Sequence, residues 1–282
     1  MAKAETIERG KVRPAAVAGR FYPGDPVELR ELINALLAQV PPATGPGPKA
    51  LIAPHAGYLY SGPIAASAYA QLLPARDLIT RIVLLGPSHY VALQGLATSS
   101  AEGFATPLGV VPVNIEAVRQ VQALPQVREL DEAHTHEHSL EVHLPFLQTV
   151  LGSFTLVPLA VGDATPEEVS QVLETLWDGP GTRFVVSSDL SHYYDFQTAR
   201  RLDRATAKAI EALKPDGIGE EGACGRIPIR GLLQTARRHG LRARTVDLRN
   251  SGDTAGPRDK VVGYGAFVFE QNYGLERKER SP

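Results

Sequence analysis

The chain is short of several residue types, and each shortage restricts what the protein can be. It has one cysteine, Cys224, so no intramolecular disulfide can form and nothing favours an oxidising compartment. No apolar run approaches the roughly 18 residues of a membrane-spanning helix. The polar first residues also lack the apolar core of a signal peptide. We therefore expect a cytoplasmic protein that does not enter membranes.

Neither sign of charge is in excess. Lys and Arg number 29 against 31 Asp and Glu, a formal net charge of -2. A protein that binds nucleic acid generally presents a basic surface, so no nucleic-acid partner is expected. Some arginines cluster, which favours solvated outer faces of helices over a local basic patch; they are Arg200, Arg201, Arg204, Arg237, Arg238, Arg242 and Arg244.

Short apolar runs alternate with helical patterns over nearly the whole length. Such alternation predicts an α/β fold, a three-layer sandwich with a central, mostly parallel or mixed sheet buried on both faces. The segment 106–114 favours a hairpin or loop. The predicted strands cover residues 50–54, 81–86, 154–161, 183–187 and 261–269, and the predicted helices cover 26–37, 63–73, 115–124, 140–151, 166–177, 196–213 and 228–238.

The chain shows no internal repeat and no long linker. The Pro- and Gly-rich segment 41–49 is short and is typical of a surface loop. We predict a single domain over residues 12–272, with flexible termini at 1–11 and 273–282.

Three predicted strands are each followed closely by a histidine: His55, His89 and His192. In open α/β sheets the carboxyl ends of the strands form the crevice where ligands bind. One such histidine is usually a hydrogen-bonded structural residue, but three at the same position favour a ligand site that binds a transition metal or transfers protons. Asp189 precedes His192 by three residues; it either orients an imidazole or caps the following turn.

A second histidine-rich segment, 131–143, does not have the HExxH spacing of a zinc-protease helix. His134 and His136 are expected in a solvated loop. His138 and His143 either face the pocket or have a structural role.

Cys224 directly precedes a predicted helix and is followed by Gly225. A helix N-terminus favours the thiolate, which suits a nucleophile or a soft metal ligand. The alternative is a small buried apolar side chain, the commoner role of a free cysteine.

Five motifs resemble, in order, those of the Memo family (mediator of cell motility). They are PHAGY at 54–58, LGPSH at 85–89, EHSLEVHLP at 137–145, SSDLSH at 187–192 and CGR at 224–226. The resemblance covers nearly the whole chain and implies the fold of the class III extradiol dioxygenases (the LigB-like group). It implies His55, His89 and Cys224 as metal ligands, and His192 as an acid/base with Asp189 in the same pocket.

The resemblance also implies the other parts of the pocket and its partners. Substrate-binding positions would be Phe21, Tyr58, Ser88, His138, His143 and Arg226. Microbial members often accompany AMMECR-type and radical SAM proteins, which are expected partners here beside a small or anionic ligand. Two residues depart from relatives: Ile227 stands where some have histidine, and Phe21 where eukaryotic members have tryptophan. The second departure leaves open whether the peptide recognition of eukaryotic members extends to this chain.

Three functions are consistent with these residues. The first is a metal-dependent oxidoreductase with iron(II), or with copper, acting on a small aromatic or oxygen-rich substrate. The second is a non-catalytic protein that binds an anionic or phosphorylated ligand or peptide, with Arg226 as one contact. The third is a zinc hydrolase, since two histidines, one cysteine and a water form a known catalytic zinc set. The thiolate is itself oxidisable, so ordinary ring cleavage is not assumed.

Overall fold

The computed structural model describes residues 11–271. The termini expected to be flexible, 1–11 and 273–282, lie outside the described residues except for Lys11.

Twelve strands form two sheets in the described part of the chain. Three short strands make a small sheet in the order β1-β5-β6, and nine make the central sheet. The strands are β1 (Val12–Arg13), β2 (Ala50–Ala53), β3 (Arg81–Pro87), β4 (Leu96–Thr98), β5 (Gly103–Thr106), β6 (Gly109–Pro112), β7 (Val127–Glu129), β8 (Thr155–Val161), β9 (Thr182–Ser187), β10 (His192–Tyr194), β11 (Leu241–Asn250) and β12 (Val261–Gln271).

The central sheet has a parallel middle and mixed edges. Its order is β10-β12-β2-β9-β3-β8-β4-β7, with β11 pairing along β12. β2, β9, β3 and β8 run parallel, whereas β12 is antiparallel to β2, and β4 to β8. Every residue of β2 and β9 is buried, as expected for parallel strands covered on both faces. The carboxyl ends of the four parallel strands therefore meet at one edge.

Helices cover both faces of the sheet, so the predicted α/β sandwich with a mixed central sheet is confirmed. One layer contains α1, α2 and α5, which contact one another; α6 and α8 pack together in the other layer, with α7 against β11 and β12. The helices are α1 (Pro26–Ala38), α2 (Tyr58–Tyr69), α3 (Ile115–Gln122), α4 (Glu132–Thr135), α5 (Leu144–Leu151), α6 (Pro166–Thr175), α7 (Phe196–Glu211) and α8 (Arg226–Arg238); single turns of 3-10 helix lie at Glu141–His143, Pro215–Gly217 and Ser251–Asp253, and a longer one at Ala70–Leu78.

Local capping fixes where several helices begin. Thr165 and Glu168 form a reciprocal capping box at the start of α6, which satisfies two amide groups that the helix itself leaves free. Asp195 accepts hydrogen bonds from two amides of the first turn of α7. Asp195, not Asp189, is therefore the capping carboxylate here.

Two differences from the sequence prediction change the element to which predicted residues belong. The second helix begins at Tyr58, not at Pro63, which lies inside α2. β11 was not predicted, and it places Arg242 and Arg244 on a strand and not on a helix face. Its apolar and charged residues alternate, which is the pattern of a strand with one buried face.

Candidate metal centre

The carboxyl ends of three neighbouring strands deliver side chains to one cavity. His55 lies two residues after β2, His89 two residues after β3, and Asp189 two residues after β9. The cavity measures about 640 Å³. Its walls bring together seven of the residues singled out from the sequence, namely Phe21, His55, His89, His138, Asp189, His192 and Cys224.

The imidazole of His55 is buried, and its hydrogen bonds determine its tautomer. Its Nδ1 lies 2.6 Å from the hydroxyl of Ser187. That hydroxyl donates its single proton to the carbonyl of Ser139, at 2.6 Å. Ser187 can therefore only accept from His55, so Nδ1 carries the proton and Nε2 has a free lone pair. This Nε2 lies 3.3 Å from the sulfur of Cys224.

His89 is oriented by a carboxylate. One oxygen of buried Glu137 lies 2.9 Å from His89 Nδ1, and the other accepts the His89 backbone N–H at 2.5 Å. Burial works to raise the pKa of Glu137, but the hydrogen bonds from His89 outweigh it and hold the pKa at about 2. The ionised carboxylate makes Nδ1 of His89 a donor and leaves its Nε2 free to bind a metal.

His138 is the third imidazole of the cavity. Its ring stacks on that of His89 at 4.7 Å and meets the ring of His55 edge-on at 5.4 Å. Ligand atoms of His55, His89 and His138 all lie within 4.8 Å of one another, so these three histidines could hold a metal ion. The buried Nδ1 of His138 makes no hydrogen bond among the described residues, and it lies 3.4 Å from the Glu137 oxygen that bonds His89. Such unsatisfied nitrogens are rare in folded proteins.

Burial keeps the imidazoles of His55 and His138 neutral, as metal binding requires. It lowers the pKa of His55 well below 6.5 and that of His138 to about 4. In both cases neighbouring histidines add to the effect.

Cys224 occupies the loop before α8 and faces the same cavity. Its sulfur lies 3.6 Å from the carbonyl of Asp189, beside its contact with His55. Burial, followed by the negative charge of Asp189, raises the pKa of the thiol to about 12. The position at a helix start therefore does not by itself favour the thiolate, and a thiolate here would need a cation beside it.

Glycine is required next to Cys224. A Cβ on Gly225 would come within 2.6 Å of the carbonyl oxygen of Ser187. The amide of Gly225 instead donates to the hydroxyl of Ser188 at 2.9 Å, which ties the Cys224 loop to the end of β9.

Asp189 and His192 occupy different positions in the cavity. Asp189 accepts the backbone N–H of His55 at 2.8 Å, so it supports the His55 loop. Burial raises its pKa to about 7. His192 begins β10, where it is partly buried and where burial lowers its pKa.

Aromatic side chains form the remaining wall and the mouth. The ring of Phe21 lies 4.8 Å from that of His138. Tyr193 is 71% exposed and has a φ of 64°, an unusual backbone conformation for a residue other than glycine. The sequence did not single out Tyr60, Tyr193, Lys260 or Tyr264, which line the cavity.

Several predicted site residues lie away from this cavity. Tyr58 is the first residue of α2, which packs in the core. Its side chain is therefore buried, and its hydroxyl donates to the carbonyl of Val142. His143 is buried against Tyr69, whose hydroxyl is 2.6 Å from its Nδ1. Ser88 and Arg226 line an adjacent cavity. The predicted solvated loop is wrong for His134, which is buried and donates from Nε2 to the carbonyl of Ala97.

Two residues that orient the histidines were missed by the sequence analysis. Glu137 and Ser187 entered the sequence analysis only as the first residues of the motifs at 137–145 and 187–192, without a role of their own. Within the described residues, no helix is long and apolar enough to cross a bilayer.

Comparisons with known proteins agree on one family. The family model described as "Memo-like protein" matches residues 13–268. A MEMO1 family protein of Aquifex aeolicus is 34% identical over 270 residues, covering 92% of this chain and 99% of the relative. A MEMO1 family protein of Aeropyrum pernix is 38% identical over 283 residues, covering 91% and 99%.

One solved structure is similar in fold. It is the uncharacterized protein JW3007 of Escherichia coli K12, with a TM-score of 0.51 and 15% sequence identity. The match covers 78% of this chain and 98% of that chain. At this identity the likeness concerns the fold alone.

Proposed function

Because this chain belongs to the Memo family, we propose that it is a metal-dependent oxidoreductase acting on a small aromatic or oxygen-rich substrate. The observation that carries the proposal is the pair His55 and His89. Each has its Nδ1 committed to a fixed acceptor, Ser187 or Glu137, so that the free Nε2 is available to a metal.

The donor set fits a transition metal. Neutral imidazoles suit iron, copper and zinc, and the unsatisfied Nδ1 of His138 is one more buried nitrogen at the same place. We favour iron(II), which would supply the one-electron chemistry that the side chains of the protein lack. Copper and zinc are the other candidates.

The third ligand is either Cys224 or His138. The family resemblance favours Cys224, and its sulfur lies 3.3 Å from His55 Nε2. The mutual distances of at most 4.8 Å favour His138. We keep Cys224 as the proposed ligand, because a bound cation would offset the burial that otherwise disfavours its thiolate.

His192 is proposed to accept a proton from a substrate hydroxyl. Burial lowers its pKa below the ordinary 6.5, so its imidazole is neutral at pH 7 and able to act as a base. Asp189 supports the loop of His55, and the ring of Phe21 keeps water away from His138.

A second candidate function is binding without catalysis. Tyr90 and Tyr193 are 60% and 71% exposed; Tyr193 lies at the cavity and the ring of Tyr90 is 6.1 Å from that of His138. Large exposed aromatic residues often mark binding surfaces. An anionic or phosphorylated ligand, or a peptide carrying one, would contact them.

Anaerobic reconstitution tests the proposal. We expect the purified chain to bind Fe(II), Cu(I) or Zn(II) with sub-micromolar affinity, and His55→Gln or His89→Gln to abolish binding. His136→Gln is the matched control, because His136 is exposed. A chain that binds none of the three metals contradicts the proposal.

Catalysis is tested separately from binding. With iron bound, we expect oxygen consumption on a panel of catechols and phenols, and His192→Gln to lower kcat without changing the metal content. If metal binds and no substrate consumes oxygen, the binding function is favoured. Hydrolysis by the zinc form alone would favour the zinc hydrolase.

Cobalt substitution identifies the third ligand. A thiolate bound to Co(II) gives an intense near-ultraviolet charge-transfer band. We expect Cys224→Ser to remove this band and His138→Gln to retain it. Absence of the band in the unmodified protein would assign the third position to His138.

A further inference from the structure

A second cavity adjoins the histidine cavity and shares Cys224 with it. It measures about 540 Å³ and lies at the carboxyl ends of β3 and β8. Its walls are formed by the ends of β3 and β8, the loop after β3, one edge strand and the start of α8. The lining residues are Pro87, Ser88, the segments 91–94 and 161–163, Arg128, Cys224, Arg226 and Ile227. This cavity therefore lies at the same edge of the sheet as the histidines, on the other side of the thiol.

The charge of the second cavity is predominantly positive. Two guanidinium groups, Arg128 and Arg226, face one carboxylate, Asp163. Arg128 donates to the carbonyl of Gln94 at 2.6 Å, which leaves most of its N–H groups for another acceptor. Among residues 11–271, the carboxylate of Asp163 accepts a hydrogen bond only from the Gln94 side-chain amide, at 3.2 Å, and from neither arginine.

Arg226 has no acceptor of its own. Among the described residues its guanidinium makes no hydrogen bond, ion pair or ring contact, although the residue is half-buried. A guanidinium whose N–H groups have no acceptor in the protein can bind an anion through two parallel hydrogen bonds.

The start of α8 adds to the positive potential. Arg226 is the first residue of this 13-residue helix. The Arg226 amide donates to the carbonyl of Ala223 and Pro228 has no N–H, so the contribution of the helix start is its dipole, which favours a negative charge there. The helix start adds to the positive potential of the two arginines and would not by itself form an anion site.

We propose that the second cavity binds an anionic group, a carboxylate or a phosphate, held by Arg226 and Arg128 beside Cys224. A ligand of the histidine cavity would then carry an anionic arm that passes the thiol into this cavity. The anion site follows from the arginines alone. Only the inference that this anionic group belongs to a substrate rests on the proposed function. It narrows the substrate class to anionic aromatic or oxygen-rich compounds.

Alkylation of the single thiol tests the anion site directly. Iodoacetate and iodoacetamide both alkylate the Cys224 sulfur: a carbon–sulfur bond forms, iodide leaves and the thiol proton passes to solvent. Of the two reagents, only iodoacetate is an anion. The full chain, dialysed against a chelator, is alkylated by each reagent and analysed by mass spectrometry. The ratio of the two rates removes the intrinsic reactivity of the thiol, which is the same toward both reagents. The field of Asp189 acts mainly on iodoacetate, but it is common to all variants and cancels when their ratios are compared.

We expect Arg226→Leu to lower the iodoacetate-to-iodoacetamide ratio about three- to tenfold, because the local positive potential is lost. Arg128→Leu should lower it as well, and Arg226→Lys should retain most of it. Arg30→Leu is the matched control, because it removes the same charge from an exposed position of α1. It should not change the iodoacetate-to-iodoacetamide ratio. Far-ultraviolet circular dichroism checks that each variant is folded.

Competing anions distinguish the two chemistries. Inorganic phosphate should slow iodoacetate more than acetate does if the site takes phosphate, and the order should reverse if it takes carboxylate. Equal ratios in the unmodified chain and in Arg226→Leu would overturn the proposal. So would a thiol that neither reagent reaches, or a rate that neither anion slows. None of these results depends on whether the protein binds metal or oxidises a substrate.

Discussion

The hydroxyl of Ser187 has one proton, and the carbonyl of Ser139 accepts it. This single bond decides that the ring of His55 presents Nε2 and not Nδ1 to the cavity. Glu137 has the same effect on His89. At the scale of the residue, the candidate centre is therefore defined as much by the groups behind the imidazoles as by the imidazoles themselves.

Ser187→Ala should weaken metal binding. Without the hydroxyl, the Nδ1–H of His55 has no acceptor and the ring loses its fixed tautomer and orientation. We expect a loss of about 10- to 100-fold in affinity, measured by competition with a chromophoric chelator. Ser170→Ala is the matched control, because Ser170 is equally buried and bonds Thr235. Equal affinities for both variants would contradict this role of Ser187.

The sequence predicted the residues that approach the cavity along strands better than those that orient them. His55 and His89 follow strands whose apolar runs are evident, so their convergence at one sheet edge could be predicted. Glu137 and Ser187 act through contacts between loops far apart in the chain, which no local pattern encodes. Tyr58, which the family resemblance implied as a substrate-binding residue, is the first residue of α2, whose start was predicted five residues too late.

At the scale of the element, one buried carboxylate holds the N-terminal segment against the site. Glu141, in the turn Glu141–His143, accepts the amides of Ala16 and Val17 at 2.7 and 2.9 Å and the hydroxyl of Tyr22 at 2.6 Å. It also pairs with the guanidinium of Arg13 at 2.6 Å. The segment that carries Phe21 is thereby fixed beside His138.

Glu141→Gln should destabilise the protein strongly. It leaves Arg13 charged and buried, with only 6% of its side chain exposed, and without its carboxylate. Breaking one side of a buried pair costs about 3–5 kcal/mol, measured by urea unfolding. Glu167→Gln breaks the exposed pair with Arg238 and should cost about 1 kcal/mol or less. Similar losses in the two variants would contradict the account.

Strands were predicted where they form long apolar runs and missed where they are short or alternate in polarity. β2, β3, β8, β9 and β12 correspond to continuous apolar runs. The strands β4, β7 and β10 have three residues each, too few for a periodic signal. β11 alternates arginine with apolar residues, and its charges were interpreted as part of a helix face.

At the scale of the whole molecule, buried neutral histidines make stability depend on pH. Burial lowers the pKa of His134 to about 4 and that of His143 to about 3. The unfolded chain takes up these protons near the ordinary value of 6.5, before the folded chain does. The contribution of these neutral histidines to the free energy of unfolding is therefore complete above pH 6.5. It is lost as the pH falls through 6.5 toward 4.

His134→Gln should flatten this dependence. Each buried histidine contributes a slope of up to ~1.4 kcal/mol per pH unit between the unfolded and folded pKa values. We expect the loss of unfolding free energy between pH 7 and pH 4.5 to be smaller in His134→Gln by roughly 2–3 kcal/mol. His136→Gln, at an exposed position, is the control. Parallel pH profiles of the two variants would contradict the assignment.

The α/β sandwich could be predicted from the alternation of periods, because strands and helices of this length have few ways to bury both faces of a sheet. The second cavity could not be predicted. This cavity is lined both by Arg128, which lies on an edge strand, and by Arg226, which lies on a helix 98 positions later in the chain.

The most direct test of the central claim is anomalous scattering from a crystal of the chain grown anaerobically with Fe(II). We predict one peak at the iron edge within bonding distance of Nε2 of His55 and Nε2 of His89, with Cys224 or His138 as the third ligand. A peak bonded to neither histidine, or no peak in this cavity, would contradict it.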